Sequence, residues 1–199
     1  MSLSVRDFFY TQLFLKIPHP TASFDSKTVI VTGANSGLGK EAVKHISALG
    51  ASKVILACRD TTKGNAAKAA IASSLKCNPD ILEVWKLDLE SYSSVKEFAA
   101  RSNKLPRLDA LINNAGIQTL NFHVVNGTER TIAVNVIGTF LLALMLLPKL
   151  KETAKAYQVT PHLTFVNSAL YSMAKYPEQP GEDIFAWLGD KNNVDMMNE

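Results

Sequence analysis

The feature that most constrains this chain is a short β-branched run that breaks into a glycine-rich turn. Residues Thr28–Thr32 read Thr-Val-Ile-Val-Thr, and Gly33-Ala34-Asn35-Ser36-Gly37-Leu38-Gly39 follows at once. The run predicts a buried strand, and the glycines predict a tight turn. Glycine lets the backbone bend sharply and puts no Cβ between the chain and a ligand. A helix is expected over 40–49, with Gly50 as its stop. Its first N–H groups lack intrahelical partners, and its dipole is positive at the turn. Strand, glycine turn and helix in this order make an anion site suited to a pyrophosphate.

The rest of the chain repeats the alternation. Strands are expected at Lys53–Cys58 and at 81–87, 108–113 and 163–167. Helices are expected at Thr61–Leu75, from an N-cap at Ser91 through 103, and over 128–150. Val95, Phe98 and Ala99 would form the inner face of the helix after Ser91. Strands alternating with helices imply parallel pairing with right-handed crossovers. Near-continuous apolar strands imply burial on both faces of the sheet. The fold class is therefore α/β, a Rossmann-like doubly wound parallel sheet. Character changes beyond 171, with Pro177, Pro180 and only one short apolar piece, Ile184–Leu188. The expected division is an N-terminal extension (1–24, with a helix possible), a nucleotide-binding domain (25–170) and an irregular C-terminal segment (171–199).

Composition narrows the function classes. The 199 residues are 47% apolar and 20% charged, enough to bury a core. A net charge of +3, without a basic run, argues against nucleic acid. Cys58 and Cys77 are not spaced as a metal or redox pair, which fits reduced thiols and a cytoplasmic protein. The apolar stretch 132–147 is short for a membrane span and contains Asn135, so a buried helix is expected, with no transmembrane segment. The N-terminal apolar patch is interrupted by Gln12 and Lys16 and lacks a small-residue cleavage site, so it does not read as an export signal. Phe8, Phe9, Leu13 and Phe14 are expected to pack on the domain. A membrane surface is the alternative, though the patch carries little basic charge.

The glycine spacing is Gly-x-x-x-Gly-x-Gly, preceded by Thr32. With it the sequence resembles the short-chain dehydrogenase/reductase family, whose first turn is Thr-Gly-x-x-x-Gly-x-Gly. Asp88-Leu89, Asn113-Asn114-Ala115-Gly116, Asn135 and Ser168 follow in the family's order. The phrasing around Gly37-Leu38-Gly39-Lys40 and 175–178 is similar to fungal members associated with secondary metabolism. The resemblance implies a nicotinamide dinucleotide held by Gly33, Asn35, Ser36, Gly37, Leu38, Gly39, Asp88 and Asn114. It implies hydride exchange with a carbonyl or alcohol carbon of a small-molecule substrate. Ser168 would orient that carbonyl, and Asn135 would help hold a relay water.

The cofactor's type is read at the end of the second strand. An acidic residue there accepts hydrogen bonds from a ribose 2′-OH and repels a 2′-phosphate, and an arginine does the reverse. This chain has Cys58-Arg59-Asp60, so Arg59 points to NADP.

The family's proton donor is a Tyr whose pKa a Lys one helical turn on lowers. Tyr171 and Lys175 match Tyr-x-x-x-Lys literally. They begin three residues after Ser168, closer than in the family, and Pro177 disfavours a helix there. They are expected to lie in a loop. The chain is expected to end before the family's catalytic helix, lacking the last elements of the fold and a helix usual in the family's dimer interface. A homo-oligomer stays possible. The edge strand would then carry an uncovered apolar flank. An alternative reading is a truncated remnant or pseudoenzyme that at most binds NADP.

Overall fold

The computed structural model describes residues 5–16, 18–119, 121–168 and 183–195. Its centre is a five-stranded parallel sheet of order β3-β2-β1-β4-β7. The strands are β1 (Thr28–Thr32), β2 (Lys53–Cys58), β3 (Leu82–Lys86), β4 (Ala110–Asn113) and β7 (His162–Phe165). Val31 pairs in register with Leu56 on one side and Ile112 on the other. Val29, Ile30 and Val31 are fully buried, as the central strand of a covered sheet must be. The chain runs outward from β1 to β3, then returns to β4 beside β1. That reversal opens a crevice at the carboxyl ends of β1 and β4, where open α/β sheets bind ligands.

Alternate side chains on each strand feed two cores. On one face Ile30, Ile55 and Leu111 pack with Val95 and Phe98 of α4 (Tyr92–Ser102) and with Leu142 and Leu146 of α6 (Thr139–Tyr157). On the other, Val29, Val31 and Leu56 pack with Val43 and Ile46 of α2 (Gly37–Ala48) and Ile71 of α3 (Thr61–Leu75). Ser91 caps α4 as expected, accepting from the Ser94 N–H at 3.3 Å. Val95, Phe98 and Ala99 are its buried face.

Several elements differ from expectation. The helix expected from 128 begins at Arg130, because a hairpin precedes it: β5 (Val124–Val125) and β6 (Thr128–Glu129). Asn126 and Gly127 turn this hairpin with φ of 53° and 80°, the left-handed pair that two-residue turns favour. The helix then runs as α5 (Arg130–Ile132), a π-helical stretch (Ala133–Gly138) and α6, continuing past 150 to Tyr157. By length and composition alone Arg130–Tyr157 could cross a membrane, but Leu142, Leu146 and Leu150 lie in the core.

β7 is exposed at all four positions, unlike the strands inside the sheet. It pairs only with β4 among the described residues, and Phe165 stacks on Phe140 of α6 at 4.7 Å. Leu144 and Val166 extend this exposed apolar flank.

Val5–Phe14 is helical (α1), but Phe9, Leu13 and Phe14 are 57%, 71% and 69% exposed. Such exposure departs from the packing on the domain expected of them, and the side chain of Phe8 lies outside the described residues. A coil through Pro18 and Pro20 separates α1 from β1, and the residue before a proline disfavours helix. Beyond β7, the described residues form two five-residue helices, α7 (Ile184–Leu188) and α8 (Lys191–Asp195). Tyr171 and Lys175 lie outside the described residues.

Candidate functional site

The turn after β1 is built by a threonine and an asparagine. Thr32 ends the strand with its Oγ1 accepting from the backbone N–H groups of Asn114 (3.0 Å) and Ala115 (2.9 Å). Asn114 Nδ2 donates to the Thr32 carbonyl at 2.9 Å. These bonds tie the end of β1 to the segment after β4. The Gly33 N–H donates to the Ala57 carbonyl at 2.8 Å, fixing the turn to β2 as well.

Gly33 has φ +66°, and a Cβ there would lie 2.9 Å from the Ala115 backbone. Gly39 is buried, and a Cβ would lie 2.5 Å from Asn114 Nδ2 and 2.6 Å from the Gly33 carbonyl oxygen. Gly37 opens α2 at φ +54°, and a Cβ there would meet nothing within 4 Å. The turn is thus closely packed beneath and open above. Ser36, Gly37 and Leu38 are exposed at the helix start, and Ser36 makes no side-chain cap. A side-chain cap would have taken one of the helix's first N–H groups, which stay directed at the turn.

A groove enclosing about 160 Å³ runs from this turn across the sheet's carboxyl edge. Gly33 and Asn35 of the turn line it, with Cys58 and Arg59 from the end of β2, Asp88 and Glu90 from beyond β3, Gly116 and Ile117 from beyond β4, and Val134 of the long helix. Of the expected residues, Gly33, Asn35, Arg59 and Asp88 therefore face one space. Asn114 and Gly39 shape the turn from beneath. Asp88 sits in a tight turn of its own, its Oδ1 accepting from the Glu90 N–H at 3.0 Å.

Asp60, the acid next to Arg59, is not among the residues that line the groove. Its Oδ1 caps α3 by accepting from the Lys63 N–H at 3.0 Å. Cys58 stands in the strand's last position, where a carboxylate would favour a 2′-OH. Burial, then the nearby Asp60 charge, pushes the Cys58 thiol up, so it is neutral and inert there. Arg59 is 59% exposed, and its Nη1 donates to Glu90 Oε1 at 3.0 Å.

Asn135 lies in the π-helical stretch beside the groove. Its Oδ1 accepts from the Ile117 N–H and its Nδ2 donates to the Ile117 carbonyl, both at 2.8 Å. A π-helical stretch widens the turn and often marks a functional site. The amide thereby clamps the segment after β4 to the long helix. Ser168 follows β7, and its N–H donates to Asn167 Oδ1 at 2.8 Å. Sequence reasoning missed Glu90, Ile117 and Val134. Glu90 directly follows Asp88-Leu89, a position that could have flagged it.

The sequence model of the family described as short chain dehydrogenase matches residues 27–173. The chain belongs to the short-chain dehydrogenase family. Its curated relatives include short chain dehydrogenase/reductase dmxR8 of Cryptosporiopsis sp., 44% identical over 193 residues and covering 96% of this chain and 60% of the relative. Short chain dehydrogenase atnD of Emericella nidulans is 42% identical over 190 residues, covering 94% of this chain and 60% of the relative. This short-chain dehydrogenase thus spans about 60% of the length of those relatives. Among solved structures, one described as a short chain dehydrogenase of Escherichia coli CFT073, complexed with NADPH, is 26% identical. It covers 76% of this chain and 62% of its own, with a TM-score of 0.60.

Proposed function

We propose that this short-chain dehydrogenase is an NADP-dependent oxidoreductase that interconverts a carbonyl and an alcohol on a small metabolite, in fungal secondary metabolism. The observation that carries the cofactor reading is the end of β2. Arg59 lies on the groove, no carboxylate stands at the strand's last position, and Asp60 is spent on the α3 cap. The NADPH bound to the Escherichia coli neighbour supports it.

The residues present fit a dinucleotide. The turn is open above Gly37, and the helix start presents free donors to a pyrophosphate. When bound, the nicotinamide supplies or accepts the hydride. Gly33 and Gly39 let the strand and helix approach closely enough to leave that space. Asp88 and Leu89 would line the adenosine side, and Arg59 would hold the 2′-phosphate. Asn135 holds Ile117 in place along the groove, and Ser168, at the carboxyl end of β7, would hold a substrate oxygen. Two unpaired cysteines suit a reducing, cytoplasmic setting.

A charge-assisted hydrogen bond contributes about 1.5–3 kcal/mol, and exposure pulls Arg59 toward the low end, roughly tenfold in affinity. Arg59→Asp should therefore weaken NADPH binding by at least that factor while leaving NADH binding nearly unchanged. Equal loss of both nucleotides in a fluorescence titration would overturn the assignment. Oxidation of NADPH by the purified chain over a ketone panel tests turnover itself.

A further inference from the structure

Arg59 is not the only cation at this end of the groove. Glu90 Oε1 accepts from Arg59 Nη1 at 3.0 Å and from Arg130 twice, Nε at 2.9 Å and Nη2 at 2.6 Å. Glu90 itself is pinned at both ends of its peptide. Its N–H donates to Asp88 Oδ1 at 3.0 Å, and its carbonyl accepts from Asn126 Nδ2 at 3.0 Å. The Glu90 backbone is therefore fixed, and its carboxylate holds the two arginines unequally. Among the described residues Arg130 makes two contacts to Glu90 and is 32% exposed, whereas Arg59 makes one and is 59% exposed. Arg59 is the partner that can leave.

We propose that Glu90 and Arg130 set the preference for the 2′-phosphate: Glu90 parks Arg59 at the groove, and Arg130 neutralises Glu90 so that Arg59 can turn to the phosphate. This rests on the NADP reading above. Without Arg130, Glu90 would hold Arg59 alone and its charge would oppose the incoming phosphate dianion. Without Glu90, Arg59 would be released from the start. Arg130 is a positioning residue, acting through Glu90 across 40 positions of sequence. An exposed ion pair is worth at most about fivefold in an equilibrium constant, which sets the size of each effect.

The test measures dissociation constants of NADPH and NADH for the purified full chain and four variants: Arg59→Ala, Glu90→Gln, Arg130→Met and the Glu90→Gln/Arg130→Met double. Glu90→Gln should tighten NADPH by roughly threefold to fivefold and leave NADH unchanged. Arg130→Met should weaken NADPH by a similar factor, again without moving NADH. The double variant should behave like Glu90→Gln, because Arg130 has nothing left to neutralise. A merely structural role would move both nucleotides together, and that result overturns the proposal. So does a double variant that keeps the Arg130→Met loss. Glu90→Gln is isosteric, so it decides the matter even where Arg130→Met proves unstable. Arg59→Ala separates the two layers. An unchanged NADPH-to-NADH ratio there sinks the NADP reading and the clasp together. A changed ratio with inert Glu90 and Arg130 variants sinks the clasp alone.

Discussion

Two glycines in the same turn should fail in different ways when each becomes alanine. At Gly39 the new Cβ would sit 2.5 Å from Asn114 Nδ2 and 2.6 Å from the Gly33 carbonyl oxygen. Asn114 can withdraw only by giving up its 2.9 Å bond to the Thr32 carbonyl, worth about 0.5–1.5 kcal/mol. The Gly33 carbonyl belongs to a residue at φ +66°, already packed on Ala115, and has little room to move. Overpacking costs about 1–3 kcal/mol, so the sum is roughly 2–4 kcal/mol. A chain of this size loses about 2–4 °C per kcal/mol, which gives a fall in Tm of roughly 5–15 °C. At Gly37 no atom is met within 4 Å, and the cost is that of a left-handed backbone, about 1–2 kcal/mol or roughly 2–8 °C. Gly37→Ala should nevertheless lose most NADPH affinity, since its methyl occupies open space at the mouth of the turn. Calorimetric melts and nucleotide titrations of both variants check this. A Gly39→Ala protein that melts within about 2 °C of the parent would refute the packing argument.

Three further outcomes are expected. Asn135→Ala removes both 2.8 Å bonds to Ile117, so it should cost about 1–3 kcal/mol in urea unfolding and raise amide exchange at Ile117. The bond from Lys53 holds the Glu83 carboxyl below its ordinary value, with Trp85 and the Lys53 and Arg101 charges adding to it. Folding thus favours ionised Glu83. Its contribution is full above the unfolded value of about 4.3 and is lost as pH falls through the lowered folded value, so Glu83→Gln should flatten the acid limb of the urea midpoint against pH. Burial raises the thiol of Cys58, whereas Cys77 is half-buried, so maleimide at neutral pH should label Cys77 and spare Cys58.

The sheet was legible because its strands are short β-branched runs with glycine or polar punctuation, and burial of β1 and β2 follows from that composition. The cap at Ser91 and the inner face of α4 were legible for the same local reason. The hairpin before Arg130 was missed although Asn126-Gly127 carries its turn signal, because Thr128 also suits the start of a helical run. The site divided along the same line. Gly33, Gly37 and Gly39 act through backbone shape, which a motif records. Asp60 and Arg59 are neighbours in sequence, yet one caps a helix and the other faces the groove. Glu90 meets partners 31 and 40 positions away, and no local pattern announces such a contact.

The central claim is that the groove above the Gly33–Gly39 turn holds a nicotinamide dinucleotide and that Arg59 selects its 2′-phosphate. Parallel titration of the purified chain with NADPH and NADH, at one salt concentration, tests it most directly. Saturable binding of both is expected, with NADPH tighter by roughly tenfold. Equal affinity, or a preference for NADH, would contradict it.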